Sequence, residues 1–350
     1  MQPCYKRNKI PHLPTVAIVV LNYNGLSLLK AYLPTLLLYS HGYGIIIIDN
    51  GSTDGSVDYL RNHFPTVTCM VHDGNYGVAK GYNVALKQIK ATYYVLLNND
   101  LLVTANWLTE MLALMEHDPS IGFCQPKILS LQRPDEFDYA GAAGGFIDMY
   151  GYPFCRGRIF NHIEKDSGQY DDTRAIFWTS GACVLVRAKA FHTLGGFDEL
   201  FFAHFEEIDL CWRAHIAGWK VYYCGTSTVY HLGGATLAYQ SPRKTYLNFR
   251  NRLLMLYKYH PAHLMDTIKN IAFNLLAIFR MWYLGKFAHS WAIVQAQIDF
   301  FKLKKKIKPK FLVPYLANIY KRSMVIDFYQ KRNAFLKLPL ISLHRIFGLS

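Results

Sequence analysis

The chain has 350 residues and a formal net charge of +14; 51% of its residues are hydrophobic and 18% are charged. This composition excludes an intrinsically disordered chain, which would be poor in apolar residues, and 24 Gly with 14 Pro exclude a collagen-like one. The seven cysteines are scattered, and without a Cys-x-x-Cys pair neither a zinc ribbon nor a thioredoxin-like site is supported. We therefore expect a folded cytosolic protein with reduced cysteines.

Positive charge is concentrated in the last third of the chain. Residues 1–242 have a net charge of −3, whereas residues 243–350 hold 20 Lys and Arg against three Asp, a net charge of +17. Such a basic segment attracts phosphate, either on a nucleic acid or on an anionic membrane. The first residues include basic ones but no apolar stretch typical of a signal peptide. We predict an N-terminal tail over 1–14, a main domain over 15–242 and a basic helical region over 243–350.

Apolar, β-branched runs alternate with helical patterns in the first 125 residues. The predicted strands are 16–21, 44–48, 67–71, 93–97 and 121–125. The predicted helices are 26–39, 55–63, 77–90 and 104–117. Continuous apolar strands that alternate with helices indicate an α/β fold, in which a mostly parallel central sheet has helices on both faces.

Polar turns follow four of the predicted strands. In parallel sheets the ligand crevice lies outside the carboxyl ends of the strands, so these turns are expected to meet at one edge. Asn, Asp and Gly also favour ordinary turns, which would explain any one of them alone. The chain lacks both GxGxxG after its first strand and GxxxxGK[ST], which argues against Rossmann dinucleotide binding and P-loop chemistry. The four turns are Asn22-Tyr23-Asn24-Gly25, Asp49-Asn50-Gly51-Ser52, Asn75-Tyr76-Gly77 and Asn98-Asn99-Asp100.

Three residues in or near these turns suggest roles by residue type. Asp100, at the end of a buried strand, suits a divalent metal that neutralises a diphosphate. Asp49 could accept hydrogen bonds from a base or a ribose, and Lys80 could approach phosphate or nucleoside together with the backbone of residues 77–81.

Six stretches, in order over residues 20–240, resemble family 2 glycosyltransferases of the subgroup often labelled rhamnosyltransferase-like. Each stretch is a weak signal by itself, but the ordered set is specific. The resemblance implies a GT-A fold, a nucleotide-diphosphate sugar donor, a divalent metal (Mn²⁺ or Mg²⁺) and inversion at the anomeric carbon. The stretches are VVLNYNG (19–25), IIDNGSTDGS (47–56), GNYGVAKGYNVAL (74–86), LLNND (96–100), WTSGACVLVRAKAF (178–191) and GGFDELFFAHFEEIDLCWRAHIAGW (195–219).

The resemblance also implies binding roles. LLNND occupies the place of the family's metal-binding DxD, with Asn98 where the first Asp would stand and Asp100 retained; His231 would complete the metal site, unless it is an ordinary core or surface histidine. The residues implied for the donor nucleotide are Asn22, Asp49, Asn75, Gly77, Lys80, Asn83 and Asn99.

Inversion in a single displacement needs a carboxylate that takes the proton of the acceptor hydroxyl. The segment FFAHFEEIDL supplies Glu206, Glu207 and Asp209, and helical spacing predicts that Glu206 and Asp209 share a face. The resemblance maps the base to Glu207, where many relatives carry Asp, and Asp209 is the second candidate. Alternatively, the three acids only stabilise a helix N-terminus.

Sugar-contacting residues are implied around two further stretches. Trp178, Ser180 and Gly181 correspond to positions that line the acceptor or donor sugar, although Trp178 as a plain core residue is an equal alternative. Asp198 could hydrogen-bond a sugar hydroxyl, and Glu206 is also expected to contact the acceptor or the sugar. Residues 130–174, rich in Gly and Asp, are interpreted as an insertion over the site, with a lid as one reading.

The basic region predicts helices over 243–260, 264–279 and 287–300. The uncharged apolar run 271–279 has nine residues, far below the ~20 needed to span a bilayer, so no transmembrane helix is expected. Trp282, Trp291 and the cluster FFKLKKKIKPK (300–310) suit helices lying in an anionic membrane interface. A helical subdomain packed on the main domain, with solvated lysines, is the alternative.

Together these observations predict a metal-dependent, inverting glycosyltransferase that extends a lipid-linked glycan in cell-surface polysaccharide synthesis, with rhamnose as the candidate sugar. It would be cytoplasmic and peripheral at the inner face of the cell membrane. One alternative is a nucleotide-sugar-binding protein with lost or weak catalysis. A nucleic-acid-binding protein is the other, but the basic region contains no known nucleic-acid-binding motif, so no nucleic acid is expected as a partner.

Overall fold

The computed structural model describes residues 15–138, 141–233, 241–259, 264–309 and 319–330. The tail predicted over 1–14 lies outside these residues, as do 310–318 and 331–350 of the basic region.

Strands and helices alternate through the first 130 residues, as predicted. The strands are β1 (Val16–Asn22), β2 (Gly44–Asp49), β3 (Thr68–Val71), β4 (Tyr93–Asn98), β5 (Leu101–Val103), β6 (Ile121–Ser130), β7 (Gly145–Asp148), β8 (Pro153–Cys155), β9 (Arg158–Ile159), β10 (His162–Ile163), β11 (Thr173–Ala175), β12 (Cys183–Arg187), β13 (Lys220–His231) and β14 (Ile319–Tyr320). The helices are α1 (Leu26–Tyr39), α2 (Ser56–His63), α3 (Gly77–Leu86), α4 (Thr109–His117), α5 (Ala188–Thr193), α6 (Glu206–Ile216), α7 (Pro242–Tyr259), α8 (Leu264–Tyr283), α9 (Phe287–Leu303) and α10 (Met324–Gln330).

The central sheet has the order β11-β13-β6-β12-β4-β1-β2-β3, and β5 pairs with β13. Its first four strands in sequence, β1 to β4, are parallel, and their pairing places the last residue of β1, Asn22, beside the last residue of β2, Asp49. β12 runs antiparallel between β4 and β6. The α/β class is therefore confirmed, and the carboxyl ends of the parallel strands meet at one edge.

Both faces of this sheet are buried, which explains why its strands are continuously apolar. Within β1, Ala17 and Val19 pack into a core that includes α3 and α6, while Ile18 and Val20 pack into a second core that includes α1 and α4. Successive residues of a strand point to opposite faces, so a strand covered on both sides needs apolar residues at every position.

Two elements differ in extent from the prediction. The helix expected over 104–117 begins only at Thr109, because residues 105–108 form a turn in which Asn106 has a φ of 57°, outside the right-handed helical region. The strand expected over 121–125 continues to Ser130, because β13 pairs with it along that length.

The stretch interpreted as an insertion supplies four of the five strands of a second sheet, whose order is β10-β9-β8-β7-β14. Its strands have two to four residues, too few to show an alternating pattern in the sequence. Phe146, Ile147 and Phe154 from this sheet are buried in the core next to α6. The sheet thus forms a packed layer of the protein body. The chain returns to it after the basic helices, since β14 pairs in parallel with β7 and the Met324 N–H donates to Asp148 Oδ2 at 3.0 Å.

The change in charge at residue 242 is not a break in packing. Leu254, Met255 and Tyr259 of α7 belong to the same core as α6, and Tyr259 stacks on Trp212 with ring centroids 4.8 Å apart. Lys258 donates to Asp198 Oδ2 at 2.7 Å and to Asp209 Oδ1 at 2.8 Å. Apolar packing and a buried ionic contact thus fix α7 on the main domain.

Helices α8 and α9 form an antiparallel hairpin that packs on α7 through α9. Residues 284–286 connect the two helices. Within the described part of the chain, no helix combines the length and the apolar character that crossing a membrane requires.

A buried asparagine of α7 holds the loop that precedes α6. Asn251 Nδ2 lies 3.0, 2.9 and 2.6 Å from the carbonyl oxygens of Phe201, Ala203 and His204. In this loop Phe202, His204 and Phe205 have φ angles of 61°, 64° and 73°, a left-handed conformation that is uncommon for residues other than glycine. Such a strained backbone persists only where its surroundings hold it in place.

We predict that Asn251→Ala lowers the free energy of unfolding by about 2 kcal/mol or more, because it leaves buried carbonyl groups without donors. Urea unfolding followed by circular dichroism measures this. The control, Asn62→Ala at an exposed position of α2, should change stability by less than about 0.5 kcal/mol. Equal stabilities of the two variants would contradict the role given to Asn251.

Candidate active site

The polar turns after β1, β2 and β4 meet, as expected for parallel strands. Asn22 Nδ2 donates to Asp49 Oδ2 at 2.9 Å, and Asn99 Nδ2 donates to Asn22 Oδ1 at 2.8 Å. The second carboxylate oxygen of Asp49 accepts the Ser52 N–H at 2.8 Å. Asn22 and Asp49 are fully buried, so in this conformation they lie beneath the surface of this edge of the sheet.

The next turn is tied to the same edge. Asn50 Nδ2 donates to Asn75 Oδ1 at 3.2 Å and to the Gly77 carbonyl at 3.0 Å. Gly77 begins α3 with a φ of 74°, and a Cβ atom there would lie 2.6 Å from the Phe202 ring. Only glycine satisfies both constraints, so α3 can start directly against the strained loop.

A cavity of about 530 Å³ opens at this edge of the sheet, a size suited to a small-molecule ligand. Its wall combines the strand ends, residues 178–182, the loop 202–205 with the start of α6, the small sheet around 152–160, and α7. The cavity therefore lies between the main sheet and the first helix of the basic region.

Most of the residues singled out in the sequence line this cavity, and six do not. The lining includes Asn75, Gly77, Asn98, Asn99, Asp100, Trp178, Ser180, Gly181, Glu206, Glu207 and His231. Outside the described lining are Asn22, Asp49, Lys80, Asn83, Asp198 and Asp209.

Three of those six, Lys80, Asn83 and Asp198, make contacts outside the cavity. Lys80 is exposed on α3, with its Nζ 4.0 Å from the centre of the Tyr76 ring. Asn83 Nδ2 donates to the Phe197 carbonyl at 2.8 Å, and its Oδ1 accepts the Phe197 N–H at 2.9 Å. Burial disfavours the Asp198 carboxylate, but the charge and hydrogen bond of Lys258, with the Leu200 N–H, together outweigh this and lower the pKa of Asp198.

Glu206 and Glu207 form a carboxylate pair at the start of α6. Oε2 of each is buried and has no hydrogen-bond partner among the described residues. Burial raises the pKa of Glu207 to about 7, although backbone N–H groups at this helix start partly offset the effect. The pKa of Glu206 rises further, through burial and through the charge of Glu207. Because burial raises both pKa values, the pair carries less than two full negative charges near neutral pH.

Asp209 has a different environment, although the sequence placed it on the face of Glu206. Its carboxylate accepts hydrogen bonds from Arg213 Nε at 2.8 Å, Lys258 Nζ at 2.8 Å and Tyr259 Oη at 2.7 Å. Asp209 and its three donors form a cluster of side chains between α6 and α7. Both of its oxygens are thus occupied away from the cavity, whereas Glu207 has a free oxygen.

Asp100 and His231 lie together in the cavity wall, although they are far apart in the sequence. His231 Nε2 is 3.1 Å from Asp100 Oδ1, and His231 Nδ1 is 2.8 Å from Asp138 Oδ2. Burial disfavours a charged His231, but its hydrogen bonds to both carboxylates outweigh this and raise its pKa to about 9. A carboxylate on Nδ1 orients Nε2 in the manner of metal-binding histidines. The described residues contain no group of three or more His, Cys, Asp or Glu placed to hold a metal, so among these residue types Asp100 and His231 are the candidate ligands.

Sequence reasoning missed the side of the cavity formed by α7 and the small sheet. Lys244, Asn248, Phe249 and Arg252 of α7 line it, as does Arg158 of β9. The net charge of residues 243–350 predicts a phosphate-bearing surface as the partner of the α7 cations, because their distance along the chain from the strand ends hides their proximity to the cavity.

His204 was also missed as a site residue. Its Nε2 is buried in the cavity wall and has no partner among the described residues. Burial and the charge of Lys244 lower its pKa to about 4, so the ring is neutral near pH 7. A neutral imidazole can accept a hydrogen bond from a ligand or donate one to it.

Two curated relatives are rhamnosyltransferases. The chain is 27% identical over 238 residues to the N-acetylglucosaminyl-diphospho-decaprenol L-rhamnosyltransferase of Mycobacterium tuberculosis, which covers 63% of this chain and 75% of the relative. It is 26% identical over 215 residues to the rhamnosyltransferase WbbL of Escherichia coli, covering 59% of this chain and 80% of that protein.

A solved structure supports the fold. The crystal structure of GalNAc-T7 with UDP, GalNAc and Mn²⁺ matches with a TM-score of 0.54 at 14% sequence identity, covering 71% of this chain and 48% of that one. At that identity the likeness shows the fold alone, and it agrees with the GT-A architecture expected from the motifs.

The family model described as "Glycosyl transferase family 2" matches residues 17–195, which contain β1 to β6, β12 and the strand-end turns. The resemblance found in the motifs is thereby confirmed: the chain belongs to glycosyl transferase family 2 and is a rhamnosyltransferase-like glycosyltransferase.

Proposed function

We propose that this glycosyltransferase moves a sugar, with rhamnose as the candidate, from a nucleotide-diphosphate donor to a lipid-linked glycan acceptor in cell-surface polysaccharide synthesis. One observation carries the proposal. The Asp100–His231 pair and the unpartnered oxygen of Glu207 line the same cavity. Such a cavity can hold the charged leaving group on one side and deprotonate an alcohol on the other.

Asp100 and His231 would hold a divalent ion in this proposal. One carboxylate oxygen and one imidazole nitrogen suit Mn²⁺ better than Mg²⁺, which prefers oxygen ligands alone. When bound, the ion would neutralise charge on the donor diphosphate and on the leaving nucleotide. Asn98, in the first position of the usual acidic motif, adds a neutral oxygen donor, so most of the negative charge of the site comes from Asp100.

Glu207 would act as the base. Its Oε2 takes the proton of the acceptor hydroxyl. The hydroxyl oxygen attacks the anomeric carbon at the same time, and the nucleotide diphosphate leaves from the opposite face. Burial and the charge of Glu207 raise the pKa of Glu206, and in its protonated form Glu206 would donate a hydrogen bond to a substrate oxygen. Neighbouring carboxyl groups with separated pKa values commonly divide acid and base roles in this way.

The acceptor side of the proposal rests on the relatives and on the cavity wall. The Mycobacterium tuberculosis relative is named for a diphospho-decaprenol carrier. Trp178 and Phe249 provide apolar surface for a sugar ring, while Lys244 and Arg158 add positive charge. This combination suits a glycan linked to a phosphorylated carrier.

Donor binding provides the test of this function. We predict that a nucleotide-diphosphate sugar, dTDP-rhamnose first, raises the melting temperature more with Mn²⁺ than without it, because ligand binding stabilises the folded state. Asp100→Ala should lose the Mn²⁺-dependent part of this increase. Asp58→Ala, on the exposed surface of α2, should keep it. If neither UDP-, GDP- nor dTDP-sugars shift the melting temperature with any metal, the proposed function is wrong.

We predict that Glu207→Gln lowers kcat by about 10² to 10⁴ while the donor-induced shift in melting temperature is retained. The amide keeps the shape of the side chain but cannot accept the proton. Glu206→Gln, which mimics the protonated neighbour, should lose much less activity. A Glu207→Gln enzyme with wild-type kcat would exclude Glu207 as the base.

The pH dependence follows from the raised pKa of Glu207. Since the base must be deprotonated, kcat should be constant above about pH 7 and fall about tenfold per pH unit below it. Initial rates of sugar transfer at saturating donor and acceptor, measured from pH 5 to 9, provide the test. A rate that is unchanged down to pH 5 would contradict a buried base of raised pKa.

A further inference from the structure

The α8–α9 hairpin presents large apolar side chains to solvent. Phe279, Trp282 and Tyr283 near the end of α8 are 66%, 62% and 85% exposed, and Phe287 and Trp291 at the start of α9 are 60% and 58% exposed. With Leu276, 65% exposed, these six residues are called the hairpin face. Soluble proteins expose contiguous apolar surface of this kind mainly where it binds a partner or a membrane.

The hairpin face has a regular place on the helices. Ile271, Leu275, Phe279 and Trp282 recur three or four residues apart, so they run along one side of α8. The opposite side packs on α9, with Asn274 buried between the helices and α7. The outer side of α8 is therefore apolar and exposed in the described protein, whereas the side with Asn274 is covered.

Positive charge lies at both ends of the hairpin. Residues 269–309 contain eight Lys and Arg but a single acidic residue, Asp299. Arg280 and Lys286 are exposed at the hairpin end, and Lys302, Lys305, Lys306 and Lys308 are exposed after α9. Asp299 accepts from Tyr246 and Lys302, so its charge is locally compensated.

We propose that the α8–α9 hairpin lies in the interface of an anionic lipid membrane. The hairpin face would enter the region between headgroups and acyl chains, while the Lys and Arg side chains at both ends of the hairpin contact lipid phosphates. Exposed Trp and Tyr prefer this depth, and each basic side chain near an anionic surface adds to binding. A protein partner fits less well, since lysine is depleted in protein interfaces.

The hairpin is bonded to the helix that lines the cavity. Arg252 of α7 donates to Asn270 Oδ1 and Asn274 Oδ1 of α8, both at 2.8 Å. Thr245 Oγ1 of α7 lies 2.8 Å from His289 Nδ1 of α9. Membrane attachment through the hairpin would thus hold the cavity at a fixed position relative to the lipid surface. This inference rests on the hairpin alone and does not depend on the identity of donor or acceptor.

Vesicle co-sedimentation of the full chain tests the proposal. Binding should be strong to vesicles of phosphatidylglycerol mixed with phosphatidylcholine, weak to phosphatidylcholine alone, and lower at high salt. Emission from the exposed Trp282 and Trp291 should shift to shorter wavelength and be quenched by brominated lipid.

Two sets of variants separate the apolar and the charged contributions. Trp282→Ser with Phe287→Ser should weaken binding more than about tenfold, from the loss of buried apolar area. The control pair, Leu38→Ser with Tyr39→Ser, removes exposed apolar side chains from α1 and should bind like wild type. Lys305→Glu, Lys306→Glu and Lys308→Glu combined should also weaken binding, whereas Lys87→Glu, Lys90→Glu and Lys189→Glu combined, exposed on the main domain, should not.

Circular dichroism and the donor-induced shift in melting temperature show that each variant is folded. The proposal is overturned if folded hairpin variants bind anionic vesicles as wild type does, or if wild type binds neither vesicle type. It is also overturned if the hairpin mediates a dimer in solution that does not bind vesicles and that the Trp282→Ser, Phe287→Ser variant dissociates. A donor that binds normally in either case leaves the glycosyltransferase function unaffected.

Discussion

The attachment of α7 to α6 through Lys258 is the constraint on which the cavity depends. This half-buried lysine bonds the buried Asp209 of the helix that carries the glutamate pair and Asp198 of the loop before it. Removing one member of such a cluster leaves a buried charge without its partner, which is far more costly than losing a surface ion pair. The helix that opens the basic region is therefore a wall of the cavity, and charge composition alone does not predict this position.

The central sheet could be predicted from the sequence because both of its faces are buried. β1, β2 and β4 appear as uninterrupted apolar runs, and the polar residues that end them mark the ligand edge. The small sheet could not be predicted, since strands as short as β9 and β10 show no periodicity and depend on tertiary contacts. In the cavity, the family motifs predicted Asp100, His231 and Glu207, which all line it, and hydrogen bonding distinguishes Glu207 from Asp209. His204 and the cations of α7 reach the cavity only through long-range folding.

In the proposed mechanism, catalysis and stability make opposite demands on the start of α6. Two carboxyl groups with unpartnered oxygens follow three residues in a left-handed backbone, and both features cost folding free energy. The rest of the structure offsets that cost, with Asn251 holding the loop carbonyls and Gly77 allowing α3 to approach Phe202 closely. Strain and unpaired groups at one point of an otherwise well-bonded domain are typical of a site prepared for a substrate.

The return of the chain to the small sheet has a consequence for how the protein can be divided. β14 supplies the edge strand next to β7, and the Tyr320 ring packs against Phe154 with centroids 5.9 Å apart. Ending the polypeptide after α9 would uncover that edge and remove one strand from the small sheet that carries Arg158. The hairpin is thus an excursion between two anchored segments, and it could be shortened from within more safely than the chain could be cut behind it.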